Sequence, residues 1–211
     1  MKALTLLLTG VILGLIAAAV TYKVRNPEGR LYRHQLELCA AIDKSSPTGG
    51  VVIIGDSMAQ RLTGVAWDAV ILGIGGETSE QLLARIGTYC TVSNASALVI
   101  VSGNNDRRFG IPPLRTASNL LHCTRYNRNT IIIGLCPVAS PEQTAIADAT
   151  NKLMPFATVF EWLQKDGRIF PTYDSGDGLH FSMQGNLDFR RHINYAVAGN
   201  IGKGGELRGQ R

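Results

Sequence analysis

The sequence predicts an α/β fold with a mainly parallel sheet of five strands, covered by helices on both faces. Three observations lead there. Short apolar runs rich in Val and Ile recur along the chain. Segments with the apolar spacing of helices separate them. Several runs, such as Ile131-Ile132-Ile133, carry no polar position at all, as a strand buried on both faces requires. Strands alternating with helices imply right-handed crossovers and a parallel sheet.

Taken in order, Tyr32–Ile42 fits a helix loosely, through Leu36, Leu38, Ala40, Ala41 and Ile42, and Ser45–Gly50 is a turn. The strands are Val51–Ile54, Ala69–Leu72, Ala97–Val101, Thr130–Leu135 and Ala157–Phe160. The helices between and after them are Met58–Thr63, Ser79–Thr88, Pro113–Tyr126, Glu142–Leu153 and Met183–Ala198. Ser79 is placed to cap its helix with Glu80 in the first turn, and Leu82, Leu83 and Ile86 share a face.

The chain has 211 residues, of which 45% are hydrophobic and 18% charged, enough for one domain with a full core. Its net charge of +5 comes from scattered residues. The pairs Arg107-Arg108 and Arg190-Arg191 are not stripes and have no interleaved aromatic residues, so they read as solvated surface and not as a nucleic-acid face. The four cysteines, Cys39, Cys90, Cys123 and Cys136, form no Cys-x-x-Cys and have no histidine at zinc spacing. Disulfides and buried thiols both remain open for them.

The N-terminus differs from the rest. Leu4–Val20 contains neither charge nor proline, with Lys2 before it and Lys23, Arg25, Arg30 and Arg33 after it. The run sits at the lower limit for a membrane span and slightly exceeds a signal h-region of roughly 7–15 residues. Ala17-Ala18-Ala19 offers small residues to a peptidase. Residues 1–25 are therefore expected to be a signal peptide or a membrane anchor. Residues 26–200 form the domain, and 201–211 a flexible, glycine- and arginine-rich tail. Export follows, to the periplasm or outside or attached to the membrane.

In an open parallel sheet, sites form beyond the carboxyl ends of the strands. Gly55-Asp56-Ser57 follows the first strand, Gly73–Thr78 the second and Gly103–Asp106 the third, so three polar or glycine-rich loops share one rim. Each is also an ordinary turn when taken alone. A serine at the start of a helix can present both its hydroxyl and an unpaired backbone N–H. A side-chain amide just past a buried strand can donate to an oxyanion, and Asp106 can hold its loop through backbone N–H groups. In Asp177-Gly178-Leu179-His180 a carboxylate three residues before a histidine can hold its Nδ1 proton, leaving Nε2 to act on a hydroxyl. His34, His122 and His192 lie in helical patterns without such a carboxylate.

In this order, the motifs resemble the GDSL family of the SGNH-hydrolase superfamily. Gly55-Asp56-Ser57 is similar to its first block and Ile71–Ser79 to its second, with Gly76 at the oxyanion position. Gly103-Asn104-Asn105-Asp106 is similar to the third block, and Asp177-Gly178-Leu179-His180, continued by Ser182 and Gly185, to the fifth. The resemblance runs from Val51 to about Ala198. Ile71 stands where members often have Asn, and Phe181 where proline often follows the histidine.

The resemblance implies a flavodoxin-like three-layer α/β/α sandwich and a serine esterase. Ser57 would be the nucleophile, His180 the base and Asp177 its orienting acid. The N–H groups of Ser57 and Gly76 and the amide of Asn105 would form the oxyanion hole, with Asp56 and Asp106 in support. No metal or organic cofactor is needed. Arg107 is carried as a contact for an acidic or phosphorylated substrate. The same residues would serve a carbohydrate O-acetylesterase or an acyltransferase. The readings of another class are a non-catalytic glycan- or partner-binding domain and a nucleotide module holding flavin or phosphate at Gly73–Thr78.

Overall fold

The computed structural model describes residues 27–64, 68–159, 164–165 and 168–206. The chain divides into two units, Met1–Glu37 and Leu38–Arg211. What is described of the first is the start of helix α1, Pro27–Ser45. The expected signal or anchor, 1–25, lies outside the described residues, and no helix among those described is long and apolar enough to cross a membrane.

In the second unit, strand β1 is Val51–Gly55, followed by the short helix α2, Ser57–Gln60. Strand β2 is Ala69–Gly73, helix α3 Ser79–Arg85 and helix α4 Cys90–Ser93. Strand β3 (Ala97–Val101), helix α5 (Pro113–Cys123), strand β4 (Thr130–Ile133) and helix α6 (Pro141–Lys152) follow. A small antiparallel pair, β5 (Gln164–Lys165) with β6 (Arg168–Ile169), precedes the last helix, α7, Met183–Glu206. Tight 3₁₀ turns extend α2, α3 and α5, and account for the longer helices expected at those places.

The main sheet has the order β2-β1-β3-β4 and every pair is parallel. The α/β fold therefore stands as predicted, with a correction to the strand count. Among the described residues the main sheet has four strands, not five. The run Ala157–Phe160 supplies one parallel bridge, Ile133 to Thr158, through Thr158 N–H to Ile132 O and Gly134 N–H to Thr158 O, each 2.8 Å. Pro155 and Phe156 turn the chain immediately before it, and Val159 is exposed, so no apolar face continues the ladder. Phe160 lies outside the described residues. Helix α7 continues through Ile201–Glu206, the first part of the segment expected to be a flexible tail.

Successive strand residues face opposite sides, and both sides are buried. Ile53, Val99, Val101, Ile131 and Ile133 join Met58, Ala59 and Leu62 after β1 and Phe189, Ile193 and Val197 of α7 in one apolar cluster. The alternate positions Val52, Ile54, Leu98, Ile100 and Ile132 are buried as well, as are Leu82 of α3 and Leu120 of α5. All four cysteines are free thiols; Cys90 is exposed and the others are buried.

The register brings the strand ends level: Gly55 stands opposite both Gly73 and Val101, and Val101 opposite Ile133. The backbones close tightly at this rim. Ile74 N–H donates to Gly55 O at 2.8 Å and Asp56 N–H to Val101 O at 2.9 Å. A Cβ on Gly55 would lie 1.7 Å from Val101 O, so only glycine ends β1.

Beneath the second loop lies a buried ion pair that the sequence reading did not find. Arg85 grips Glu77 through Nε–Oε1 at 2.5 Å and Nη2–Oε2 at 2.7 Å, with both side chains almost fully buried. The guanidinium also donates to Leu72 O at 2.9 Å, Gly55 O at 3.3 Å and Tyr89 Oη at 3.2 Å. It therefore joins the ends of β1 and β2 to the loop that follows β2. Glu77→Gln leaves a buried guanidinium without its counter-charge and is expected to cost about 3–5 kcal/mol in urea unfolding. Pairing it with Arg85→Met is expected to recover part of that loss, since the orphaned charge is then gone.

Candidate active site

Ser57 sits where β1 hands over to α2. Asp56 is the N-cap, in extended backbone, and its Oδ1 accepts from Met58 N–H at 2.9 Å. Its Oδ2 accepts from Asn104 twice, from the backbone N–H and from Nδ2, both at 3.2 Å. One carboxylate thus ties the Ser57 turn to the loop after β3. Burial pushes the Asp56 carboxyl up to about 6, against the lowering effect of the Met58 and Asn104 donors.

The loop carrying His180 is held from both ends. Asp174 Oδ1 accepts from Gly176 N–H at 2.9 Å and Gly178 N–H at 3.0 Å, and Ser175 N–H donates to His180 O at 2.9 Å. Phe181, where the sequence lacks the expected proline, is buried edge-on against Phe189 with ring centroids 5.2 Å apart. Ser182 Oγ accepts from Gly185 N–H at 3.1 Å and so starts α7. The result anchors His180 between the core and a helix start.

Three predicted residues come together here. Ser57 Oγ is 2.9 Å from His180 Nε2, and His180 Nδ1 is 2.6 Å from Asp177 Oδ2. The other carboxylate oxygen of Asp177 accepts from Leu179 N–H at 3.0 Å and His180 N–H at 2.8 Å. Burial would raise the Asp177 carboxyl, but the His180 backbone and ring, Leu179 N–H and the Ser175 side chain outweigh it and hold the group well below the carboxylate range. An ionised Asp177 fixes the proton on Nδ1 and leaves Nε2 as an acceptor for the serine proton. The dyad faces solvent on the acid side, with Asp177 44% exposed and His180 15%.

The second and third loops supply donors. Gly76 is exposed, with φ at +77°, a conformation that favours glycine. The N–H groups of Ser57 and Gly76 find no acceptor among the described residues. Asn105 is buried and its Nδ2 donates to Glu77 O at 2.9 Å, which leaves its second amide proton available. Asp106, also buried, accepts from Ser79 N–H at 2.8 Å, from Ser79 Oγ and from Thr116 Oγ1 at 2.7 Å. Ser79 was expected to cap α3; Thr78 does so instead, in a reciprocal capping box with Gln81, and the Ser79 hydroxyl is spent on Asp106.

Arg107, expected to meet substrate, is turned inward. Its side chain is buried and donates to Asn104 O at 3.1 Å, Cys136 O at 3.0 Å, Gln143 O at 3.3 Å and Asn104 Oδ1 at 3.3 Å. Burial lowers its guanidinium from the usual value. It clamps the third loop to the segment after β4. Asn104 and Arg61, which the sequence reading passed over, also belong here: Asn104 donates through Nδ2 to Asp56 and accepts at Oδ1 from Arg107, and Arg61 Nη2 stands 3.7 Å from Asp177 Oδ2. Among the described residues no group of three or more His, Cys, Asp or Glu side chains is placed to hold a metal ion.

No protein-family model and no curated protein matches the chain. Solved structures do. The chain is similar to a candidate acylhydrolase from Bacteroides fragilis at 20% identity and a TM-score of 0.63, over 79% of this chain and 97% of that one. It is similar to a GDSL-like lipase from Bacteroides thetaiotaomicron at 19% identity and a TM-score of 0.62, over 80% and 97%. A lipase/acylhydrolase from Enterococcus faecalis aligns at 17% identity and a TM-score of 0.54, over 74% and 97%. This is the fold of the GDSL/SGNH hydrolases. At such identities the likeness concerns the fold, and within the SGNH fold the chemistry rests on this chain's own side chains.

The buried Asp56 also makes stability depend on pH. Its folded-state value of about 6 exceeds the ordinary 3.8, so the folded protein binds a proton more readily than the unfolded chain between those values. The stabilising contribution is complete below the ordinary value and is lost as pH rises through the folded one. A shift of this size corresponds to roughly 3 kcal/mol. The stability of the wild type relative to Asp56→Asn, followed by urea unfolding from pH 4 to pH 7, is expected to fall across that window.

Proposed function

We propose that this protein is a serine esterase that hydrolyses carboxylic esters through an acyl-enzyme on Ser57. The observation that carries the reading is the hydrogen-bond relay from Ser57 Oγ through the His180 ring to Asp177. A fold shared with proteins named lipase and acylhydrolase supports it.

The steps follow from the proton positions. His180 Nε2 takes the proton of Ser57 Oγ as the oxygen attacks the ester carbonyl carbon, and the resulting imidazolium is stabilised by ionised Asp177. The carbonyl π electrons move to oxygen. That oxyanion is received by the N–H groups of Ser57 and Gly76 and the free amide proton of Asn105. Collapse expels the alkoxide, which takes the proton from His180 Nε2 and leaves as the alcohol. Water, giving a proton to the same Nε2, then attacks the acyl carbon; the bond from that carbon to Ser57 Oγ breaks, Oγ takes the proton back from His180, and the acid leaves.

Asp56, Asp106, Arg85 and Arg107 act at one remove. They fix the loops that carry the donors, so the donors need not reorganise as charge develops. Export through the N-terminal segment belongs to the same proposal and places the ester substrate outside the cytosol.

Ser57→Ala is expected to remove nearly all ester turnover. Asn105→Ala is expected to lower kcat by about a hundredfold to a thousandfold, the typical loss of one oxyanion donor. Asp177 stays ionised well below neutrality and so keeps its charge against the His180 ring. Asp177→Asn is expected to cut kcat by roughly 10⁴. Steady-state kinetics on a short-chain ester checks all of these. Wild-type rates in Ser57→Ala contradict the reading.

A further inference from the structure

We infer that Arg61 is a specificity-determining residue that receives an anionic group, carboxylate or phosphate, carried on the leaving alcohol of the substrate. The inference rests on the esterase reading of Ser57.

Arg61 follows Ser57 by one turn. Its backbone N–H donates to Ser57 O, so both side chains leave α2 from one face, about 6 Å apart along the axis. Its guanidinium lies on the acid side of the relay, with Nη2 3.7 Å from Asp177 Oδ2. That is too long for a hydrogen bond. Asp177 has little left to offer: its oxygens already accept from Leu179 N–H, His180 N–H, the His180 ring and the Ser175 side chain. Charge therefore holds Arg61 in place without using its donors, which make no hydrogen bond among the described residues.

Of the other arginines of this region, Arg108 is exposed over the Phe109 ring at 5.8 Å, on the loop after β3. Arg85 and Arg107 are buried with several acceptors each, and Arg115 pairs with Glu80 at 3.1 Å. Arg61 is 42% exposed beside Asp177. Its place also fixes which end of the substrate it meets. His180 Nε2 must hand its proton to the departing alkoxide, so the alcohol lies on the His180 side of Ser57. Arg61, one turn after Ser57 and 3.7 Å from Asp177, is the guanidinium placed against that His180–Asp177 pair. A planar guanidinium with open donors matches a carboxylate or phosphate in forked geometry. Its charge also offsets that of Asp177, which would otherwise repel an arriving anion.

The test compares three aryl acetates that differ only in the meta substituent of the alcohol: phenyl acetate, its meta-carboxy form and its meta-phosphonooxy form. The readout is the ratio of kcat/KM for each anionic ester to that for phenyl acetate. Arg61→Gln is expected to lower the ratio at least tenfold, mainly through KM, as loss of a charge-assisted contact does. Arg61→Lys is expected to fall between the two, because it keeps charge without the fork. The larger drop of the two anionic esters tells carboxylate from phosphate. If Arg61 only positions Asp177, all three esters slow together and the ratio stays put, which overturns the inference. Salt on the wild type provides a check that needs no variant: the ratio is expected to shrink as ionic strength rises, and a salt-insensitive ratio overturns the inference. A wild type that hydrolyses none of the three esters removes the esterase reading itself.

Discussion

The structure depends on one buried carboxylate. Asp56 sits where β1 runs out and accepts one donor from its own helix start and two from Asn104. Around it the strand ends are level and the backbones touch, with Asp56 N–H bonded to Val101 O. A turn this tight fixes the backbone that carries Ser57. The carboxylate is costly to bury, and donors from the helix start and from the Asn104 loop offset part of that cost. The nucleophile turn and the Asn104–Asn105 turn are therefore one mechanical unit.

The remaining charges follow the same pattern. Glu77 with Arg85 and Arg107 with its carbonyl acceptors are buried polar joints between segments distant in sequence. Asn105 Nδ2 bonded to Glu77 O links the third loop to the second. The loops after β1, β2 and β3 are thus tied to one another by buried hydrogen bonds. Donors prepared in this way do not have to be reoriented as an oxyanion forms. The acid end of the relay is different: Asp177 and Arg61 are both exposed there, and that is where a substrate's polar end can be sorted by charge.

Most of the fold is legible in the sequence because burial on both faces makes parallel strands uniformly apolar. Val51–Ile54, Ala69–Leu72 and Ala97–Val101 are strands for that reason. Ala157–Phe160 looks alike in composition, yet the chain turns at Pro155 and Phe156 and only Thr158 bridges. The spacing of Asp177 and His180 offers a pair, but each motif alone is an ordinary turn, and Ser57, Asp177 and His180 become legible as a set only through the order of the motifs along the chain and their resemblance to the GDSL family. Arg107 misleads: its neighbours in sequence suggest a solvated pair, but the turns from Asn104 to Gly110 fold its side chain inward. Glu77 and Arg85 carry no local signal, because their pairing depends on how α3 packs. Arg61 gains meaning only from Asp177, which lies far along the chain and is brought near by the final loop.

The central claim is that Ser57 is an activated nucleophile, and covalent capture tests it most directly. Purified protein is treated with a fluorophosphonate, then weighed intact and after digestion. The account predicts one added phosphonyl group, on the peptide that carries Ser57, and none after Ser57→Ala or when His180 is replaced. An unmodified protein, or an adduct elsewhere with Ser57 untouched, contradicts it.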